Sequence, residues 1–247
     1  MKLGALVEKL NEISPFELQE DWDNCGLVIG DPHSEITNIV LSLDIDEQLI
    51  EQAPEGSVLV THHPLIFSGL KQLDFSTYPS NLIQKMLKKE ISHIAMHTNF
   101  DKTHLNRYVA QNILGFDIID ENDFVLTMKC DMSFKKLTSH VQESLGLQTL
   151  KSVPGKEHIE TLSLTTGAGA SLLKYIKSDC FLTGDIKYHE AMQAKSLNLA
   201  LIEIGHYESE RFFSEILAQS LENIPLSVII SNSKNPFTYH KDSYINE

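Results

Sequence analysis

The stretch VLVTHHPLIF, Val58 to Phe67, decides how this chain is read. Val58, Leu59 and Val60 are apolar and mostly β-branched, the composition of a buried strand. The strand gives way to His62 and His63, and Pro64 holds His63 in extended backbone. Neighbouring side chains on an extended segment point to opposite sides. Two adjacent imidazoles therefore suit two neighbouring ions better than one, unless one of them only packs.

Two more strands end the same way. In IAMHTNFD, the run from Ile91 delivers His97, Asn99 and Asp101. In LIEIGHYESE, the run Leu199–Ile204 delivers Gly205, His206 and Glu210. A helix is expected just after His206, and residues four apart share one helix face. His62, His63, Asp101, His206 and Glu210 make a mixed nitrogen and oxygen donor set. That set suits Zn, Mn, Fe, Co or Ni better than Ca or Mg. Each residue alone has an ordinary alternative: a hydrogen-bonded loop histidine, or an aspartate capping a helix. Their joint placement at three strand exits puts a metal site on a par with those ordinary readings. His97 is the candidate proton carrier. His104 and His189, like His97, are alternatives for orienting a ligand through a hydrogen bond. His33, His93, His140, His158 and His240 are assigned structural or surface roles.

The remaining chain alternates short apolar runs with helical periodicity. Strand-like runs include Ile39–Leu43, Leu162–Leu164, Cys180–Leu182 and Leu226–Ile230; helical segments include Asn81–Lys89, Ser133–Leu145 and Ser209–Asn223. This predicts an α/β fold with parallel or mixed sheets, whose ligands sit beyond the carboxyl ends of strands. Its 247 residues allow two lobes. The acidic stretch Asp117–Asp131 marks the boundary, giving a first lobe of 1–124 and a second of 125–247, with a C-terminal segment that returns to the first. The N-terminal periodicity reads as a helix of the fold rather than a signal peptide. No apolar run reaches the length of a membrane span. Three scattered cysteines with no CxxC fit reduced thiols in a cytoplasmic protein, not a thiolate metal site. The formal charge of −14 opposes general nucleic-acid binding. The chain has no GxxxxGK[ST] loop, GxGxxG or G-x-S-x-G elbow. TTGAGAS, Thr165–Ser171, reads either as a tight turn or as an anion site at a helix start, where it and Lys187 would meet substrate phosphates.

Five blocks carry a resemblance: DWDNCGLVIGD (Asp21–Asp31), THHPLIF, HTNFDKTHLN, FLTGDIKYHEA and EIGHYESE. In this order they resemble the Nif-three-like dinuclear-metal family, whose members are commonly called GTP cyclohydrolase 1 type 2 homologs. The resemblance runs from about Leu6 to Val228. It implies two related α/β lobes with mixed sheets flanked by helices and the metal site in the cleft between them. It implies two divalent ions per chain on His62, His63, Asp101, His206 and Glu210, with Glu210 bridging, and a toroidal homohexamer. The activity it implies is hydrolysis of a purine nucleotide, with GTP ring opening the named candidate. The alternative from another class is a non-catalytic protein for metal storage, delivery or scaffolding. Two features depart from the family pattern. Lys102-Thr103-His104-Leu105 stands where many members have a glycine pair, and the large central insertion of the long forms is missing.

Overall fold

The computed structural model describes residues 1–231 and 233–240. Its strands are β1 (Gly26–Ile29), β2 (Asn38–Ser42), β3 (Val58–Thr61), β4 (Ser92–Ala95), β5 (Ile118–Asn122), β6 (Val125–Ser133), β7 (Lys151–Val153), β8 (His158–Thr165), β9 (Cys180–Thr183), β10 (Ala200–Glu203) and β11 (Ser227–Ile230). They form two mixed sheets flanked by helices, as the alternating sequence pattern predicts.

The chain divides into two compact units. The first comprises Met1–Leu105 and Arg211–Ser233. Its sheet runs β1-β4-β3-β2-β11, with β11, β2, β3 and β4 parallel and β1 antiparallel at the edge. Val58, Leu59 and Val60 of β3 have no exposed surface. They are central strand residues because both faces are covered, which explains the continuous apolar run. On one side Val40 and Leu59 pack with Leu49 and Ile50 of the helix Glu47–Gln52, and with Leu82, Ile83 and Met86 of the helix Ser80–Lys88.

The second unit comprises Asn106–Glu210 and the described residues from Lys234. Its sheet runs β5-β6-β8-β9-β10-β7; β8, β9 and β10 are parallel and the flanking strands antiparallel. Phe181 and Leu201 pack with Ala170, Leu173, Ala194 and Leu199.

The division falls at Leu105/Asn106, earlier than the 124/125 boundary read from acidic composition. The reason is local. Asp117–Asp131 is no linker, because it forms most of the β5–β6 hairpin at the edge of the second sheet. Solvent-facing edge strands are polar and carry little core periodicity, so in sequence they resemble a connection. Arg211–Ser233, with β11, belongs to the first unit.

Candidate metal centre

Strand register brings the first histidines together. Thr61 of β3 pairs with Ala95 of β4 in parallel. One and two residues further on, His62 and His63 lie level with Met96 and His97. The ring centroids of His62 and His63 are 5.0 Å apart, those of His62 and His97 5.0 Å, and those of His63 and His97 5.4 Å. One ligand atom from each lies within 4.8 Å of the others, as a shared ion requires. His62 is fully buried, and its Nε2 lies 3.5 Å from Oδ1 of Asp101. Asp101 starts a π-helical segment, Asp101–Leu105, within the helical run Thr98–Ile113. Wide turns of this kind frequently mark functional sites.

In the second unit, Thr183 of β9 pairs with Glu203 of β10, again in parallel. Gly205, with φ +77°, turns the chain from the strand into the helix His206–Glu210. His206 Nδ1 lies 2.6 Å from Asp185 Oδ2, just beyond β9. Its Nε2 lies 3.1 Å from Glu210 Oε2, one helical turn on. Burial opposes charging this imidazole, but the hydrogen bonds to Asp185 and Glu210 outweigh it and push its pKa up to about 11. Two carboxylates thus demand a positive charge at His206, and a divalent cation meets the same demand.

The four imidazoles share one feature. Each Nδ1 faces an oxygen that can only accept: Met96 O for His62 (2.9 Å), Asp44 for His63 (2.7 Å), Asp23 for His97 (2.8 Å) and Asp185 for His206. Each Nδ1 must therefore carry the proton, which leaves Nε2 as the nitrogen available for ligation or proton transfer. This is the usual support of a metal-ligating histidine. The His62, His63 and His97 donor set of the first unit thus fits a metal ion.

Asp23 is the most heavily used of these partners. Its side chain is fully buried, and it also accepts from Thr98 N at 3.1 Å and Thr98 Oγ1 at 2.5 Å. Burial would raise its pKa, but the His97 and Thr98 donors hold it well below the usual carboxylate range. Cys25 lies beside it, and burial with the Asp23 charge pushes its thiol up to about 12.

Other histidines go elsewhere. His104 stacks on Phe100 with centroids 4.7 Å apart, and His189 is exposed beside Tyr188. His93 is fully buried; burial lowers its pKa to about 3, and its Nε2 meets Thr61 Oγ1 at 2.8 Å. Asn99 turns away from its neighbours His97 and Asp101 to donate to Ser14 O at 2.9 Å.

Three amides of the TTGAGAS turn are engaged by the protein's own side chains. Thr166 N donates to Asn106 Oδ1, Gly167 N to Ser209 Oγ, and Gly169 N to Thr183 Oγ1. Gly167 has φ +60°, and a Cβ there would overlap the Glu210 carboxylate. The glycine leaves room for Glu210. Gly167→Ala combines left-handed strain of roughly 1–2 kcal/mol with that overlap. A stability loss of about 2 kcal/mol or more is expected in urea denaturation. Gly69→Ala, with open space at its Cβ, is the control expected to change little.

The oxygen partners Asp23, Asp44 and Asp185 carry no signal in composition or spacing. They lie 74, 19 and 21 residues from the histidines they hold. Asp23 and Asp185 do fall within two of the five resembling blocks.

Comparison with known proteins gives the family and the fold. Residues 1–236 match the family model described as Duf34/NIF3 (NGG1p interacting factor 3). A Campylobacter jejuni protein named GTP cyclohydrolase 1 type 2 homolog is 49% identical over 97% of this chain and 100% of its own length. A Helicobacter pylori protein named GTP cyclohydrolase 1 type 2 is 43% identical over 92% of this chain and 94% of its own. The crystal structure of a hypothetical protein from Staphylococcus aureus superposes with a TM-score of 0.84 at 24% identity, covering 97% and 99% of the two chains. It supports the fold alone.

Proposed function

We propose, from the fact that this chain belongs to the Duf34/NIF3 family, that it is a dinuclear-metal-dependent hydrolase acting on a purine nucleotide, with ring opening of GTP as its reaction. The observation that carries the metal half is the set of imidazoles, His62, His63 and His206, that each donate from Nδ1 to an oxygen partner. The substrate half rests on the activity named for relatives at 43–49% identity.

In this reading His62, His63, Asp101, His206 and Glu210 would supply the ligands for two divalent ions. Such ions supply Lewis acidity and lower the pKa of water toward neutrality. The protein's own residues do the rest. Asp44 and Asp185 orient His63 and His206, and the Met96 carbonyl orients His62. Gly167 keeps the space that Glu210 occupies. Asp23 holds His97 through Nδ1, so its Nε2 is the atom that accepts and returns a proton.

Metal content and turnover test the two halves separately. Elemental analysis of protein purified without chelator is expected to approach two divalent metals per chain. A value of one that metal supplementation does not raise overturns the dinuclear assignment. Incubation with GTP is expected to give metal-dependent, saturable turnover. Exchangeable metal with no turnover across a nucleotide set would identify a metal carrier instead. Light scattering on the same preparation tests the hexamer that the family relationship suggests.

A further inference from the structure

We infer that Trp22 and Phe67 form a stacking wall for the planar base of a nucleotide, beside His97. The inference rests on the purine-nucleotide reading above and names the side chains that would take the base.

Trp22 is 56% exposed and Phe67 49% exposed, although both are large and apolar. They touch each other, with centroids 5.8 Å apart at 47°. Each also meets His97 edge-on, Trp22 at 6.3 Å and Phe67 at 6.2 Å. The wall is therefore continuous with the imidazole cluster.

Neither ring sits on a loosely held loop. Asp23, next to Trp22, is fixed by His97 and Thr98. Asn24 Nδ2 donates to Ile66 O at 2.6 Å, tying the Trp22 loop to the Phe67 loop. Cys25 N donates to Gln19 Oε1 at 2.7 Å. Two aromatic rings are thus held toward solvent on ordered backbone, and much of the ordering cost of binding is already met. Base-on-aromatic stacking is sequence-tolerant and strong enough to matter at a single site. A neutral base is also a handle that the net charge of −14 does not oppose, unlike a phosphate. The nearby imidazole edges are hydrogen-bonding groups, which suits a nitrogen heterocycle better than a hydrocarbon.

The chain has one tryptophan, so intrinsic fluorescence reports on this wall directly. The full chain as purified would be titrated with guanosine and, separately, with ribose 5-phosphate. Guanosine is expected to quench saturably and ribose 5-phosphate to leave the signal unchanged. Phe67→Ala is expected to weaken guanosine binding about tenfold, and Phe67→Tyr to restore it. No saturable quenching by guanosine, or quenching indifferent to Phe67→Ala, overturns the inference. So does a change of oligomeric mass in Phe67→Ala, which would make the wall an intersubunit surface. No turnover enters this measurement. Guanosine stacking without GTP hydrolysis would keep the wall and remove the hydrolase reading, while hydrolysis without stacking would do the reverse.

Discussion

Glu210→Gln is expected to lose at least one metal ion and all hydrolase activity while keeping the fold. Glu210 is buried and stands one helical turn from His206, with its Oε2 3.1 Å from the histidine Nε2. Glutamine nearly keeps the shape but removes the negative charge and one strong oxygen donor. Changes to groups that merely orient a ligand typically cost about 10–100-fold in metal affinity or activity. A carboxylate that would itself ligate metal should cost at least that. Glutamine has nearly the same size, so the substitution adds no bulk beside Gly167. Metal content by elemental analysis, circular dichroism and light scattering would be read together. A variant with both metals and full turnover would make Glu210 an ordinary helix residue. The same variant also removes one of the two carboxylates that stabilise the His206 imidazolium. Its effect on metal must therefore be separated from any effect on the fold by the spectroscopic control.

The second large effect is expected at Asp23. Asp23→Ala removes the acceptor of five hydrogen bonds, from Asn24 N, Cys25 Sγ, His97 Nδ1, Thr98 N and Thr98 Oγ1. A buried donor left without an acceptor costs about 1–3 kcal/mol, and more where charge is involved. Water entering the space offsets part of this, so a net loss of about 3–4 kcal/mol is expected in equilibrium denaturation. His97 also loses the partner that sets its tautomer, so turnover should fall more than substrate affinity. Asp23→Asn separates the two roles. It retains an oxygen for Thr98 while losing the charge, and should recover more stability than activity. Wild-type stability in Asp23→Ala would show that His97 and Thr98 find other acceptors.

Much of the fold is legible in the sequence because it rests on local pattern. The β-branched run Val58–Val60 is buried on both faces of a parallel sheet, so no polar residue interrupts it. Ser133 caps the helix Phe134–Leu145 through Lys136 N, and Gly146 ends it with φ +64°. Both signals lie in the residues themselves. The edge strands are harder to read. β5 and β7 lack a two-sided apolar run because one or both of their faces meet solvent. The acidic hairpin around Asp120 therefore reads as a boundary in sequence.

The candidate ligands divide in the same way. His62-His63, the HTNFD block and GHYESE are visible as residue types set at strand exits, since the few residues after a buried strand are a local property of sequence. The sequence determined that imidazoles and carboxylates stand at the ends of core strands, and in what spacing. Tertiary structure alone decided which oxygen holds each imidazole: Asp23 for His97, Asp44 for His63, Asp185 for His206. It also decided that Gly167 makes room for Glu210, a residue 43 positions later in the chain (210 − 167). Those pairings depend on strand register and on loops meeting across a sheet end. A hydrogen bond forms only when two groups come within about 3 Å at a suitable angle. Sequence separation carries no information about that distance once the chain has folded back on itself.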